Sequence, residues 1–230
     1  PRLLQLDAAQ AQAVNHAYGC NGIITSATMA SAAAVPWQQL VLELSSWEQA
    51  LAAAQHLPAT ALLLNGLCAL EGAVARLLPW PQGCPAAGAD GHRLLLLAAP
   101  DALAPLEALL PRWGARLIWQ APQGQSRGIP LRELCWNHTT LHARAEEPGF
   151  TYLQLLLPQP EGPALKALRQ RWGDDLLWHL EAVRAQGQQR LACLPLLRWR
   201  SREQLEAVIE HACVLGCLLF NPHVITVEDG

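Results

Sequence analysis

The stretch "WQQLVLELSSWEQALAAAQHLPATALLLNG", residues 37–66, holds two apolar segments with a helix signal between them. Residues 38–44 are a short apolar run with β-branched Val41, which predicts a strand. Ser46 then stands at an N-cap, Glu48 falls in the first turn, and an Ala/Leu-rich segment reaches Leu57, which predicts a helix. A second strand is expected over 60–65. The unit is β-α-β, and the question is what continues it.

Working outward, "CALEGAVARLL" (68–78) predicts a short helix, and a Pro/Gly-rich loop leads to a strand at 93–98. A helix over 101–114, capped by Asp101 and closed by Gly114, precedes a strand at 116–120. The order β-α-β-β-α-β then recurs. Strands are expected over 150–157, 175–183, 190–199 and 218–227. One helix should end at Gly173, and another should start at the capping box Ser201…Gln204. The fold class is therefore α+β: two ferredoxin-like halves, about 36–122 and 149–230, forming an antiparallel sheet with helices over one face. Residues 123–148 connect the halves, and residues 1–35 precede them as a separate segment.

Composition narrows the function classes. The 230 residues carry a formal net charge of -3, which excludes an electrostatic nucleic-acid binder. The longest apolar run, 211–220, falls well short of the ~20 residues that span a bilayer, and the first residues lack a basic-then-apolar leader pattern. Seven cysteines (Cys20, Cys68, Cys84, Cys135, Cys193, Cys213 and Cys217) form no CxxC pair. This excludes a disulfide framework or zinc ribbon and fits a reducing, cytoplasmic setting. Cys213 and Cys217, four apart on an expected helix, are read as buried thiols rather than half a metal site. The sequence opens on Pro1 without Met and stops at Gly230 inside an expected strand and turn, so it is expected to be part of a longer protein.

Three stretches carry a resemblance: "YGCNGIIT" (18–25) with its connector to Trp37, "CWNHTTLHA" (135–143) followed by "TYLQ", and "FNPHVITVEDG" (220–230). Together, in this order, they resemble FAD-linked oxidases of the vanillyl-alcohol oxidase/p-cresol methylhydroxylase type. The branch is similar to glycolate oxidase FAD-subunits and D-lactate dehydrogenases. The resemblance implies that residues 1–35 end an FAD-binding domain and that 36–230 form the cap covering flavin and substrate. It further implies hydride transfer from a small hydroxylated substrate, a 2-hydroxy acid or related alcohol, to FAD. The remainder of the FAD-binding domain is then an absent partner, and the chain alone is expected not to retain the cofactor.

The candidate residues follow from the same stretches. Gly19, Gly22, Ile23, Ile24 and Thr25 are the implied cofactor contacts, since Gly lets backbone approach a flat ring. The bland reading is a turn into an edge strand. In the polar cluster, Trp136, Asn137 and Thr139 are the implied substrate contacts, and His138 the implied base, imidazole being the side chain that exchanges protons near neutral pH. Here the bland reading is a capping segment. The family's carboxylate-binding members carry an Arg soon after this Trp. Asn137-His138-Thr139-Thr140 stands in its place, leaving Arg132 and Arg144 as the nearby guanidinium groups. Asn221 and His223 are expected to return to the same cleft. Glu228 is a weak metal candidate only, because the family's His-rich motif is absent and "VEDG" (227–230) has Asp229 where the family has His. No metal site is expected. The alternative function is a non-enzymatic ferredoxin-like module that binds a small ligand or a protein.

Overall fold

The computed structural model describes residues 2–14, 19–88, 91–185 and 187–220. The chain divides into two compact units, one made of Val35–Phe220 and the other of Pro1–Ala34 with Asn221–Gly230. In the smaller unit, helix α1 (Ala8–Ala13) starts at a capping box in which Asp7 and Gln10 exchange side-chain and backbone bonds. The strand expected at 23–25 does not form. Residues 22–30 have no regular structure, and Ile23 and Ile24 are 92% and 86% exposed. A single extended segment has no ladder to join without a neighbouring strand.

In the larger unit the first half runs β1 (Gln38–Leu44), α2 (Trp47–His56), β2 (Leu64–Leu70), α3 (Gly72–Ala75), β3 (His92–Ala98), α4 (Leu103–Leu109) and β4 (Arg116–Pro122). Helix α5 (Asn137–Glu146) lies in the connection. The second half runs β5 (Phe150–Tyr152), β6 (Gln154–Leu156), α6 (Glu161–Trp172), β7 (Leu176–Leu177), β8 (His179–Ala185), β9 (Gln188–Cys193), β10 (Leu196–Arg198), α7 (Arg202–Val214) and β11 (Leu218–Phe220). Among the described residues, eight strands form one sheet in the order β11-β6-β9-β8-β2-β3-β1-β4, every pairing antiparallel. Each half contributes four strands, its first strand lying between its third and fourth. The halves meet where Cys68, Ala69 and Leu70 stand opposite Glu181, Leu180 and His179.

A carboxylate locks this seam. Glu71 accepts two bonds from Arg169 on α6, at 2.5 and 2.6 Å, and one from the Trp178 backbone at 2.8 Å. Its own N–H donates to the Trp178 carbonyl. Charge-assisted bonds of this kind are the stronger class.

Side-chain alternation along the strands builds two cores. Leu40, Leu42, Leu44, Leu94, Leu96 and Leu180 face α2, α4, α6 and α7. Val41, Cys68, Leu70 and Leu95 face the other way, toward Val74 of α3, Leu131, Leu134 and Ala143 of α5. The expectation of helices over one face is thus corrected: the second face is covered as well, by loops and the short helices α3 and α5. Gln39 pins the connection to that face, its Oε1 accepting from Leu131 N at 3.0 Å and its Nε2 donating to the Pro122 carbonyl.

Other boundaries move for local reasons. The second strand covers 64–70 and not 60–65, because residues 68–70 pair with both β3 and β8; the helix expected from Cys68 shrinks to α3. Long-range pairing here overrides the helix preference of Ala and Leu. The expected strands at 150–157, 175–183 and 190–199 are each broken, at Leu153, Trp178 and Leu194-Pro195. Their outer pieces form a second sheet, β5-β10-β7. Pro195 lacks the N–H that a ladder requires. The helix expected over 101–114 is capped by no Asp101 side chain, and it changes to 3-10 form at Leu110–Trp113. Pro111 removes the i→i−4 donor there, and Gly114 closes the segment at φ 62°. The final strand is described only to Phe220.

Candidate functional site

A pocket of about 350 Å³ opens on the second face, where β2 and β3 meet the connection. Asn65 and Gly66 reach it at a bulge, where the β2–β3 register slips between Leu64 and Gly66. Arg132, Glu133, Cys135, Trp136 and His138 come from the connection, and Glu181 from β8. The wall therefore takes residues from both halves and from the segment between them.

The connection holds its shape here through backbone and side chain together. Trp136 has φ 54°, the sole positive value among described non-glycine residues. A bulky residue in that region costs ~1–3 kcal/mol and persists only where surroundings enforce it. The enforcing contact is its own N–H, which donates to Glu181 Oε1 at 2.7 Å. Leu134, fully buried, and Leu131 anchor the preceding turn. From Trp136 onward the chain is helical, with Thr139, Thr140 and Ala143 as the buried face of α5.

His138 follows directly at the pocket rim, its side chain about half exposed, with Nδ1 2.5 Å from Glu133 Oε2. A carboxylate at one ring nitrogen fixes the imidazole's orientation and leaves the other nitrogen to exchange a proton. Arg132, an exposed residue, is also among those lining the pocket; Arg144 lies on the exposed side of α5.

Deeper in the wall is a buried polar group. Glu181 Oε1 also meets His179 Nε2 at 2.8 Å, and His179 is fully buried. With Nε2–H donating to the carboxylate, His179 Nδ1 carries the lone pair and has no hydrogen-bond partner among the described residues. Cys68, directly across the seam from Glu181, and Cys135 complete the group. One ligand-type atom from each of Cys68, Cys135 and Glu181 lies within 4.8 Å of the other two. Burial, the Cys135 contact and the Glu181 charge all push the Cys68 thiol well above its usual range. For Cys135 the Cys68 hydrogen bond pulls down while burial and Glu181 push up, and the balance is upward.

The sequence-derived residues divide as follows. Trp136 and His138 line the pocket. Asn137 points elsewhere, its Oδ1 accepting from Gln154 Nε2 at 3.3 Å. Thr139 is buried, its hydroxyl donating to the Leu134 carbonyl at 2.7 Å, so this group is spent on the backbone and not offered to the pocket. Gly19, Gly22, Ile23, Ile24 and Thr25 lie in the smaller unit. A Cβ at Gly19 or Gly22 would meet nothing within 4 Å, and both have positive φ, so this segment is an open, glycine-turned edge. Asn221, His223 and Glu228 lie outside the described residues. Cys68 and Glu181 escape a reading by motif because they lie far from the connection in sequence; Glu133 and Cys135 adjoin the polar cluster but carry no motif of their own. One signal was available: His179 and Glu181, two apart in an otherwise apolar strand, share a face and need an interior polar partner.

No family model matches the chain, and neither does any curated protein sequence. Among solved structures the chain is similar to alkyldihydroxyacetonephosphate synthase, with a TM-score of 0.54 over 81% of this chain at 8% identity. The match takes in 40% of that structure's chain, so the present sequence spans well under half of its relative's length. At this identity the likeness is one of fold.

Proposed function

We propose that this chain is the cap of an FAD-dependent oxidoreductase, built from two ferredoxin-like units, that covers a small hydroxylated substrate during its oxidation. The observation that carries the reading is the His138–Glu133 pair at the rim of a pocket on the side of the sheet away from helices α2, α4, α6 and α7. The fold likeness to alkyldihydroxyacetonephosphate synthase, an FAD-linked oxidase, supports it.

In this reading FAD, when bound, supplies the hydride acceptor. The chain's own residues do the rest. His138 accepts the substrate hydroxyl proton as the C–H bond is broken, and Glu133 holds the ring at Nδ1 while positive charge develops on it. Trp136, its indole half exposed at the rim, excludes water and stacks on the ligand. Arg132 is the nearby cation for an anionic substrate group. Gly19, Gly22, Ile23, Ile24 and Thr25 would give one edge of the cofactor site: the glycines leave room for close approach, and the exposed isoleucines are apolar surface that a flavin-binding domain would cover. The bulk of that domain would come from sequence beyond these residues, and the protein would work in the cytoplasm.

The test is a visible spectrum of two proteins. The product of the complete reading frame encoding this chain should carry stoichiometric flavin that bleaches with a hydroxylated substrate; the chain alone should be colourless. A complete product without flavin would overturn the reading and leave the non-enzymatic binding module.

A further inference from the structure

We infer that Cys68, Cys135 and Glu181 form a binding site for one soft divalent cation, zinc in the first place, with a fourth coordination position open to the pocket. The inference goes beyond the flavin reading and does not depend on it.

The ligand chemistry selects the cation. Two thiolates favour a soft or borderline metal, and one carboxylate oxygen beside them fits zinc, which accepts sulfur, nitrogen and oxygen alike. Zn–S bonds of ~2.3 Å and Zn–O bonds of ~2.0–2.2 Å place tetrahedral ligand atoms roughly 3.5–3.8 Å apart. The three atoms here already lie within 4.8 Å of one another, so side-chain closure of about 1 Å completes the cage.

The supports are rigid. Cys68 and Glu181 sit opposite each other on adjacent central strands. Cys135 follows the fully buried Leu134, and its own Sγ reaches the Leu131 carbonyl at 3.4 Å. The carboxylate is also oriented from behind: Trp136 N–H and His179 Nε2 both meet Oε1. Such outer partners are what metal-ligating carboxylates carry. All three residues line the pocket, so a bound cation would present its free position to whatever enters. Three protein ligands with one open position is the arrangement of zinc sites that bind or polarise a ligand, as opposed to closed structural ones. Since thiols bind metal as thiolates, occupation releases their protons.

Cys135 and the Trp136 N–H both meet Glu181 immediately before the positive φ of Trp136, which turns the chain away into α5. The remaining cysteines build nothing comparable among the described residues: Cys213 is exposed, and Cys193 and Cys217 are buried without a carboxylate in the cluster.

Reduced chain, stripped with a chelator, should be titrated with cobalt(II). One equivalent should give the intense near-ultraviolet thiolate-to-cobalt band with visible bands of tetrahedral cobalt, and one equivalent of zinc should bleach both. Zinc should protect two thiols from a maleimide, identified by mass spectrometry as Cys68 and Cys135. Cys68→Ser and Cys135→Ser should each weaken zinc binding by more than the ~10–100-fold usual for an outer-shell loss, with Glu181→Gln weakening it less and Cys213→Ser leaving it unchanged. If a variant fails to fold, the cobalt spectrum and the protection pattern of the unaltered chain still decide. No thiolate band, or protection of other cysteines, would overturn the inference. So would a Cys68–Cys135 disulfide that, once reduced, takes up no cobalt; the pair would then be a redox couple.

Discussion

The two faces of the eight-stranded sheet are made by the same strands and differ in nearly everything else. Toward α2, α4, α6 and α7 the strands present Leu and Ala almost without exception. Toward the connection they present Gln39, Arg93, His179 and Glu181, all buried, together with Cys68. Arg93 is held there by Glu43 at 2.9 Å and by the Ala86 carbonyl, under the ring of Trp80. Burying such groups costs stability unless each finds a partner. One face can therefore be understood as packing; the other retains polar groups, and it is the face with the pocket. The comparison teaches where to look for chemistry in a sheet covered on both sides.

The largest effect expected under the proposed function is that of His138→Ala in the product of the complete reading frame. Turnover should fall by roughly 10²–10⁴-fold, the range for a lost general base, with the thermal midpoint unchanged. A large loss of stability with near-normal turnover would make the pocket face structural as well. On the helix face, Leu94→Ala should destabilise by ~2–5 kcal/mol in urea unfolding, because Leu94 is fully buried between strands and helices. A loss under 1 kcal/mol, on the order expected of surface changes, would mean that this face is less tightly built than its burial indicates. Gln39→Leu sharpens the contrast from the other side. It strips the Leu131 N–H of its acceptor and should cost ~1–3 kcal/mol while loosening the connection, read as faster amide exchange at Leu131. The smallest effect lies away from both faces. Arg200 holds the Asp175 carboxyl below its usual range through a bidentate pair at 2.7 and 2.9 Å. Because the folded-state value is depressed, the stabilisation is present above the ordinary Asp range and lost as pH falls through the depressed value. Asp175→Asn should lower the urea midpoint slightly at neutral pH, and the difference should vanish in acid; a difference independent of pH would assign the pair no ionic role.

How far the sequence goes can be seen strand by strand. Residues 38–44, 93–98 and 116–120 read as strands within two residues of the observed ends, because each run is strongly apolar and bounded by caps or turns. Ser46 and Ser201 each receive the expected backbone bond, from Gln49 and Gln204. What failed was governed by partners distant in the chain. Leu67–Leu70 are strand because β3 and β8 flank them, and Ala/Leu-rich sequence gives no hint of that. Helix α5 lies within the expected connection, where the sequence shows no helix of this length, since its buried face is Thr139, Thr140 and Ala143, too small and polar to announce one. The site was legible to the same depth. A polar cluster at 135–142 marked Trp136 and His138, but not the carboxylates that reach them from Glu133 and, across the seam, from Glu181.

That seam has a consequence for the order of folding. It joins Leu70 to His179 and Cys68 to Glu181, the most separated partners in the sheet. Bringing such distant segments together demands the largest loop closure, so it follows contacts made within each half. A chain whose halves have formed but not yet joined has most of its helix-face leucines buried and lacks Glu181 in the pocket wall. The bonds that Glu181 makes to the Trp136 N–H and to His179 beside Cys68 are then among the last to form and the first to be lost, so the state of that buried carboxylate reports completion of the fold more faithfully than secondary structure does.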